Sequence, residues 1–343
     1  MKPEPVPEPD GYWLDLLRDK ARRSIHPAVW AYLEAGAGLG VTAAEANRAW
    51  RAARFRPRVL RGVAGADQRT TILGAEVASP IAVAPTSMQP AVHPQGERAM
   101  AEGAGQAGCL HVVSSNAGTP FKELPATAPW WLQAYLPPDR DLFRPVVEAA
   151  VAAGAQAVAL TVDTPYPGSK RSAGHDWTGV DLGFWRRNYP EADTGQWKTD
   201  LVEDDVAWLR DVAGVPLVVK GVLRGDDALR CLDAGADAVY VSNHGGRQLD
   251  RAVTTAAALS EVVAAVEDRA EVYVDGGIRS GVDVLAALAL GARAVLVGRP
   301  ALWALGVDGA RGVARLLQEL TAELQEALEL AGCASPADAR YLL

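Results

Sequence analysis

The sequence of 343 residues is 49% hydrophobic and carries a formal net charge of −8 at pH 7. Such a composition is globular and supplies enough apolar material for a large core. It argues against a nucleic-acid-binding surface, which needs clustered basic residues, so any anionic ligand must be bound by a few local arginines.

The first ten residues, MKPEPVPEPD, are rich in proline and acid and lack the basic and apolar regions of a signal peptide. They predict a disordered tail over 1–10, followed by one domain over 11–343. No apolar run reaches the ~18 residues of a membrane span. Cys109, Cys231 and Cys333 lie far apart without a CxxC pair, which indicates neither a disulfide framework nor a metal site and favours a cytoplasmic location.

Helix-compatible segments at 10–25, 27–38 and 42–55 precede the first strand-like run and predict an N-terminal helical cap. Eight short β-branched runs bounded by Gly or Pro follow, and each predicts a strand. They are 81–86, 110–115, 130–135, 157–163, 216–221, 238–243, 271–277 and 293–298. Ala-rich segments that end at Gly separate most of these runs and predict helices.

This alternation predicts an α/β fold with a parallel sheet, and eight such units close a single (β/α)8 TIM barrel. A doubly wound sheet is the alternative. Segment 164–202 follows the fourth strand and shows no clear periodicity. A barrel places an active-site loop at this point, but a disordered insertion fits the composition equally well.

Polar side chains follow the predicted strands at their carboxyl ends, where barrel enzymes carry their chemistry. They are Thr86, Ser87, Ser114, Ser115, Gln133, Tyr135, Thr161, Asp163, Lys220, His244, Arg247, Asp275, Arg279 and Arg299. After strands seven and eight, the runs DGGIRSG and LVGRP combine glycines with Arg279 and Arg299. Because glycines let backbone amides approach a phosphate and arginines bind its charge, we predict a phosphate site there.

The run VSNHGGRQLD places His244 and Arg247 in a glycine-flanked loop after the sixth strand. Beside Asp163, His244 is predicted to act as a general base, and Arg247 is predicted to bind a carboxylate with two parallel hydrogen bonds. Together they indicate removal of a proton or hydride from a carbon next to a carboxylate. The other histidines, predicted to be structural or exposed, are His26, His93, His111 and His175.

The stretch SNHGGRQLD resembles the signature of the FMN-dependent α-hydroxy-acid oxidases and dehydrogenases, the family of glycolate oxidase, lactate oxidase and mandelate dehydrogenase. The segments APTSMQ, HPQGE, VSS, LQAY, LTVDTP, VVKG, VDGGIRSG and VGRP also follow the family order. The resemblance implies a TIM barrel that uses FMN to oxidise an (S)-2-hydroxy acid to the 2-oxo acid. One phosphate site, and no GxGxxG after the first strand, favour FMN over FAD or NAD.

The resemblance also implies roles for individual residues. His244 is implied to be the base, with Asp163 orienting it and Tyr135 at the substrate hydroxyl. Tyr32 and Arg247 are implied to bind the substrate carboxylate. Lys220 is implied to lie beside the N1–O2 edge of the flavin, where positive charge favours the reduced form. The full set implied to hold FMN is Pro85, Thr86, Ser87, Ser114, Gln133, Thr161, Lys220, Ser242, Asp275, Gly276, Gly277, Arg279, Gly298 and Arg299.

Three features depart from the family pattern. Members often carry an Arg-Arg or Arg-Glu pair in the loop after strand four, whereas this chain reads PGSKRSAG in a shorter loop. Either Lys170 or Arg171 is expected to supply the second carboxylate contact, and the planar guanidinium favours Arg171. Asn116 stands where some members place a bulky side chain over the substrate. Ser87 replaces the usual Ala or Gly near the flavin N5.

Two other functions remain open from the sequence. One is a flavoprotein of the same family repurposed for an unusual natural-product acid or amine. The less favoured one is an FMN-dependent isomerase of the isopentenyl-diphosphate type. The expected electron acceptor is O2 or a quinone, no nucleic-acid or membrane partner is expected, and family analogy implies a homotetramer.

Overall fold

The computed structural model describes residues 11–171 and 177–343, except the side chain of Tyr341, and shows eight parallel strands closed into a barrel. The strands, labelled β1 to β8 in chain order, are Ile81–Thr86, His111–Ser114, Trp130–Ala134, Ala157–Thr161, Leu217–Val222, Ala238–Val241, Glu271–Val274 and Ala294–Val297. Each overlaps one predicted run, so the predicted TIM barrel is confirmed and the doubly wound alternative is wrong. The predicted tail over 1–10 and His175 lie outside the described residues.

Helices cover the barrel and precede it. Those described are α1 Trp13–Ser24, α2 Pro27–Glu34, α3 Val41–Arg51, α4 Gln89–Val92, α5 Gly96–Gln106, α6 Arg144–Ala152, α7 Glu203–Ala213, α8 Gly225–Asp233, α9 Thr255–Val266, α10 Gly281–Ala289 and α11 Arg299–Leu330. The last is interrupted by non-helical backbone at Asp308 and Gly309. Short 3₁₀ turns add Phe121–Glu123, Arg140–Phe143 and Pro336–Tyr341.

Strand alternation divides the core into two layers. Side chains that point into the barrel include Ala82, Val112 and Ala159, together with Trp131 and Tyr273, whose ring centres are 5.3 Å apart. The intervening residues of each strand, which are mostly branched and apolar, pack outward against the helices in a larger cluster. Both faces of every strand are therefore covered, as the continuous apolar runs predict.

A two-stranded antiparallel hairpin, Thr70–Ile72 with Ala75–Val77, closes the amino-terminal end of the barrel. Ile72 and Val77 belong to the inner apolar cluster. Arg293, just before β8, donates from Nε to the Thr71 carbonyl oxygen at 2.8 Å. The sequence analysis missed this hairpin because strands of three residues are too short to show a periodic pattern.

The predicted N-terminal cap is present and lies against the carboxyl end of the barrel. Helix α1 packs on α11, and α3 contacts α9 and α10. The indole of the buried Trp50 on α3 donates to the Gly276 carbonyl oxygen at 2.7 Å, and Asn47 Nδ2 donates to that of Gly277 at 2.8 Å. The cap thus covers the loop that follows β7. In the part of the chain that the structure describes, no helix has the length and apolarity that a membrane span requires.

Candidate active site

His244 lies in the loop after β6 with left-handed backbone, φ +59°. Its Nδ1 is 3.1 Å from Asp163 Oδ1, and its Nε2 is 3.3 Å from the Tyr135 hydroxyl oxygen. Its backbone N–H donates to Ser242 Oγ at 3.1 Å. Strands β4 and β6 end at Thr161 and Val241, so Asp163 and His244 lie just beyond the ladder, and His244 lines the cavity. The three predicted catalytic residues therefore meet at the ends of three strands.

The protonation states of this group follow from burial and neighbouring charge. Burial raises the pKa of Asp163, but the charges of His244 and Lys220 outweigh it and bring that pKa to about 2. Burial lowers the pKa of His244, and Asp163 opposes this shift only in part. Burial, with the charge of Asp163, raises the pKa of Tyr135, which keeps its proton. Near neutral pH, His244 is therefore a neutral imidazole whose Nδ1–H faces a carboxylate and whose Nε2 lone pair faces the Tyr135 hydroxyl.

Arg247 is held at the cavity by the end of α2. Its Nη1 donates to the carbonyl oxygens of Tyr32 and Ala35 at 2.8 and 2.9 Å. Its guanidinium carbon lies 4.7 Å from the centre of the Tyr32 ring, close enough for a cation–π contact. Its Nε and Nη2 make no hydrogen bond within residues 11–171 and 177–343. Because Arg247 and Tyr32 both line the cavity, that edge is available to a carboxylate.

Of the two predicted alternatives for a second cation, only Lys170 lines the cavity, whereas Arg171 is exposed. Lys170 Nζ donates to the Gly168 carbonyl oxygen at 2.8 Å. Burial, and then the charge of Arg247, lower the pKa of Lys170 to about 8. The preference for Arg171 is therefore not supported by its position, since neighbouring side chains in an irregular segment face different ways.

A row of buried and half-buried polar groups forms one wall of the cavity at the ends of β1 to β4. Ser87 Oγ is 3.3 Å from Ser114 Oγ, and Ser114 Oγ donates to Gln133 Oε1 at 3.1 Å. Gln133 Nε2 then donates to Thr161 Oγ1 at 2.9 Å. The same wall includes Pro85 and Thr86. Alternating donors and acceptors of this kind suit the edge of a polar heterocycle.

Lys220, at the end of β5, is almost completely buried, with 3% of its surface exposed. Its Nζ donates to Ser242 Oγ at 2.9 Å, and Ser242 Oγ donates to Asp275 Oδ1 at 2.8 Å. Lys220 and Asp275 line the cavity, while Ser242 supports them from behind. A buried ammonium this firmly oriented supplies a fixed positive charge to a ligand.

Arg279 and Arg299 form a cationic end of the cavity beyond β7 and β8. Arg299 donates from Nε to the Leu33 carbonyl oxygen and from Nη1 to that of Gly245, both at 3.0 Å. Burial, and then the charges of Arg247 and Arg279, lower the pKa of Arg299. Neither Arg279 nor Arg299 forms an ion pair with a carboxylate among the described residues. Buried cations without a carboxylate partner are stabilised by a bound anion.

Glycines keep this end open. Gly277 has φ +87°, and a Cβ there would lie 2.5 Å from backbone atoms of Ala46, so another residue would push α3 away. A Cβ on Gly298 would meet no heavy atom closer than 3.8 Å and would occupy space that is now open. Gly276 lines the cavity with them. Space and charge at this end thus fit a phosphate group.

Gln248 is a cavity residue that the sequence analysis missed. Its Oε1 accepts from the Gly168 backbone N–H at 2.8 Å, and its Nε2 donates to Thr164 Oγ1. Thr164 in turn donates to Asp163 Oδ1 at 3.1 Å. Gln248 thereby ties the loop after β4 to the loop after β6 and helps to orient the partner of His244. Its place in the run GGRQLD was the only signal available.

Trp185 and Trp197 also line the cavity and were not singled out from the sequence. Trp197 stacks on Tyr135 with ring centres 5.7 Å apart and an angle of 27°. Both belong to segment 164–202, whose described part folds back over the barrel mouth. The richness of this segment in Trp was the available signal, and it favours the functional-loop interpretation.

Of the other histidines, His26 Nδ1 accepts from the Ala28 backbone N–H, and His93 Nδ1 accepts from that of Gln95. His111 is buried on the outer face of β2, and burial lowers its pKa to about 4. None of the three lines the cavity.

Known proteins resemble this chain over most of its length. The chain matches the FMN-dependent dehydrogenase family over residues 21–342. It is 37% identical over 330 residues to 2-hydroxyacid oxidase 2 of Rattus norvegicus, covering 93% of this chain and 94% of the relative. It is 39% identical over 341 residues to L-lactate oxidase of a Nostoc species, covering 93% of each. A solved structure of mandelate oxidase with (S)-2-phenylpropionate superposes with a TM-score of 0.90 at 37% identity, covering 96% of this chain and 97% of the other.

The chain therefore belongs to the FMN-dependent dehydrogenase family. It is an FMN-dependent oxidoreductase built on a TIM barrel, so the resemblance and the cofactor predicted from the sequence are confirmed. The cationic end and the polar wall of the cavity fit the phosphate and the heterocycle of FMN.

Proposed function

We propose that this enzyme oxidises the (S) form of a 2-hydroxy acid to the 2-oxo acid, with His244 as the base and Arg247 as the main carboxylate anchor. The observation that carries the proposal is His244, whose Nδ1 is 3.1 Å from Asp163 Oδ1, in the same cavity as the open edge of Arg247. Relatives named 2-hydroxyacid oxidase, glycolate oxidase and L-lactate oxidase support the substrate class.

The reaction removes two protons and two electrons from the alcohol carbon and its hydroxyl group. His244 Nε2 accepts the proton from the carbon, and Asp163 stabilises the imidazolium that results. Tyr135, which keeps its proton, hydrogen-bonds the substrate hydroxyl. Arg247 and Lys170 hold the carboxylate so that the carbon faces the base. When bound, FMN takes up the two electrons, and the hydroxyl proton is released.

The residues proposed to hold FMN form three groups. Lys220, supported by Ser242, supplies positive charge to the flavin ring. The polar wall faces the ring edge through Pro85, Thr86, Ser87, Ser114, Gln133 and Thr161. The ribityl chain and phosphate take the far end, through Asp275, Gly276, Gly277, Arg279, Gly298 and Arg299.

Acceptor, assembly and location complete the proposal. O2 or a quinone reoxidises the reduced enzyme, four copies assemble, and the enzyme works in the cytoplasm. The location is supported by the three free cysteines, of which Cys109 and Cys333 are buried. The assembly rests on analogy with the family.

The test is anaerobic addition of a panel of 2-hydroxy acids to the FMN-loaded enzyme, followed by flavin absorbance in a stopped-flow instrument. His244→Gln should bind oxalate almost normally but reduce its flavin about 10²–10⁴-fold more slowly, because a positioned base contributes that much. Arg247→Lys should weaken oxalate binding as well as the rate, because lysine lacks the planar two-point contact.

Other outcomes would contradict specific parts of the proposal. Reduction of His244→Gln at the wild-type rate would remove the histidine from the chemistry. Bleaching by amines but by no acid would indicate a repurposed enzyme, and turnover without any flavin reduction would indicate an isomerase.

A further inference from the structure

Part of the cavity wall is not used by the base, the carboxylate anchors or the cofactor residues. It includes Trp185 and Trp197 from the loop after β4 and Asn116 from the end of β2. Trp185 is 37% exposed although it borders the cavity, so the described residues leave much of its apolar face uncovered. Trp197 is fixed by its stacking on Tyr135. Two indoles at a cavity mouth favour a flat, apolar ligand group.

The orientation of the Asn116 amide is set by its neighbour. Arg186 Nη1 donates to Asn116 Oδ1 at 3.3 Å. A guanidinium can only donate, so the amide oxygen must face Arg186 and the NH2 group must face away from it. Asn116 Nδ2 makes no hydrogen bond to any described residue, although the side chain is only 4% exposed. The cavity wall therefore presents a donor without an acceptor.

Arg186 cannot easily release the amide. Its Nε donates to Asp193 Oδ2 at 2.7 Å, and the two side chains are 7% and 5% exposed. Its guanidinium carbon lies 3.5 Å from the centre of the Tyr189 ring. The Tyr189 hydroxyl oxygen lies 2.9 Å from the Oγ of Ser115, the residue next to Asn116 in the chain. Flipping the Asn116 amide would place its NH2 group against the N–H groups of Arg186, so that donors would face donors. The NH2 group therefore stays toward the cavity.

We propose that the substrate is a 2-hydroxy acid whose side chain is an aromatic ring with a hydrogen-bond acceptor on it. The ring packs against Trp185 and Trp197, and the acceptor receives a hydrogen bond from Asn116 Nδ2. A small aliphatic acid would leave Asn116 Nδ2 without an acceptor and both indoles exposed to water. Sites built to hydrogen-bond a substrate discriminate strongly against analogues that lack the hydrogen-bonding group. This inference rests on the function proposed above.

The experiment compares, on the FMN-loaded enzyme, mandelates with and without an acceptor oxygen on the ring. Mandelates with a methoxy group at the 3 or 4 position are paired with the corresponding methyl mandelates, and lactate represents small acids. For at least one ring position, kcat/KM should be about tenfold higher for methoxy than for methyl, the value of one hydrogen bond to a buried donor. Lactate should be poorer than every aromatic acid.

Asn116→Leu should bring the methoxy-to-methyl ratio close to one. The matched control is Asn188→Leu in the loop after β4, since Asn188 donates to the Thr119 carbonyl oxygen at 3.0 Å and does not line the cavity. That control should keep the wild-type ratio even if its stability falls. If Asn116→Leu does not fold, the methoxy-to-methyl ratio of the wild type and the Trp185→Ala variant test the proposal instead. Removal of the Trp185 indole should reduce the preference for aromatic acids over lactate.

The failures are distinguishable. This inference would be overturned if the wild type had the same kcat/KM for methoxy and methyl mandelates, or if kcat/KM for lactate equalled that for the aromatic acids. Either result would leave 2-hydroxy-acid oxidation intact. If none of the acids reduces the flavin, the proposed function fails and this inference fails with it.

Discussion

Lys170 shows how one residue sets the pH range of the site. Its ammonium lies in the cavity beside Arg247, and burial with that neighbouring charge lowers its pKa to about 8. An arginine at this position would stay charged throughout the useful pH range. A lysine at the proposed second carboxylate contact makes that contact dependent on pH, since only the protonated form attracts an anion.

We predict that oxalate binding by the FMN-loaded enzyme weakens above pH 8. One pH unit above its pKa, about a tenth of the Lys170 side chains remain charged. The dissociation constant of oxalate should therefore rise up to about tenfold for each further pH unit. The rise ends at the higher pKa that Lys170 has when oxalate is bound. Lys170→Met should bind weakly without this pH dependence, and Lys170→Arg should bind tightly without it. Lys198→Met is the control, since Lys198 pairs with Asp200 at 3.0 Å outside the cavity. The same slope in wild type and Lys170→Met would exclude Lys170 as the titrating group.

The loop after β4 is an element held by a buried ion pair. Asp193 Oδ2 accepts from Arg186 Nε at 2.7 Å and from the Gly195 backbone N–H at 3.1 Å. Arg186 in turn fixes Asn116, and Tyr189 under it donates to the Tyr135 carbonyl oxygen at 3.0 Å. The ion pair thus fixes the loop against the strand ends that carry the site.

Asp193→Asn should destabilise the protein by about 3 kcal/mol, because it leaves a buried guanidinium without its counter-charge. Urea unfolding measures the free energy of unfolding, and hydrogen exchange shows whether the protection of backbone amides is lost in the loop after β4. The double variant Arg186→Met/Asp193→Leu should be less unstable than the single one, since neither charge then remains buried. Asp181→Asn is the control in the same loop, because Asp181 is exposed. A loss for Asp193→Asn no larger than for that control would show that the ion pair does not hold the loop.

At the scale of the whole molecule, an acidic protein concentrates cations in one cavity. The net charge is −8, yet Lys170, Lys220, Arg247, Arg279 and Arg299 all border the same space. Their mutual repulsion opposes folding until an anion compensates it. The bound cofactor is therefore expected to stabilise the fold as well as to serve the reaction.

Removal of FMN should lower Tm, and adding it back at about 1,000 times its Kd should restore about 4 kcal/mol. Riboflavin, which lacks the phosphate, should restore much less. Arg299→Gln should abolish most of the difference between FMN and riboflavin. Arg293→Gln is the matched control, because Arg293 contacts Thr71 at the opposite end of the barrel. If FMN and riboflavin stabilise the wild type equally, the phosphate site is not where we place it.

The sequence by itself determined the barrel and the identity of the central chemical groups. Eight apolar runs bounded by turn residues predict eight strands, because strands buried on both faces need continuous apolar sequence. His244 and Arg247 follow one strand directly, so the local run that contains them placed both at the barrel mouth. These features are local, which is why they can be read from neighbouring residues.

Only the tertiary structure decided the features that depend on contacts between distant segments. Lys170 and Arg171 are adjacent in sequence, and only the path of the folded loop shows that Lys170 enters the cavity. Trp50 reaches Gly276 across 226 residues of chain, and Arg186 reaches Asn116 across 70. Such contacts depend on how elements pack, since a side chain without periodic neighbours carries no local signal of its partner. The sequence therefore determined the fold and the polar groups at the strand ends, and packing determined which of those groups meet.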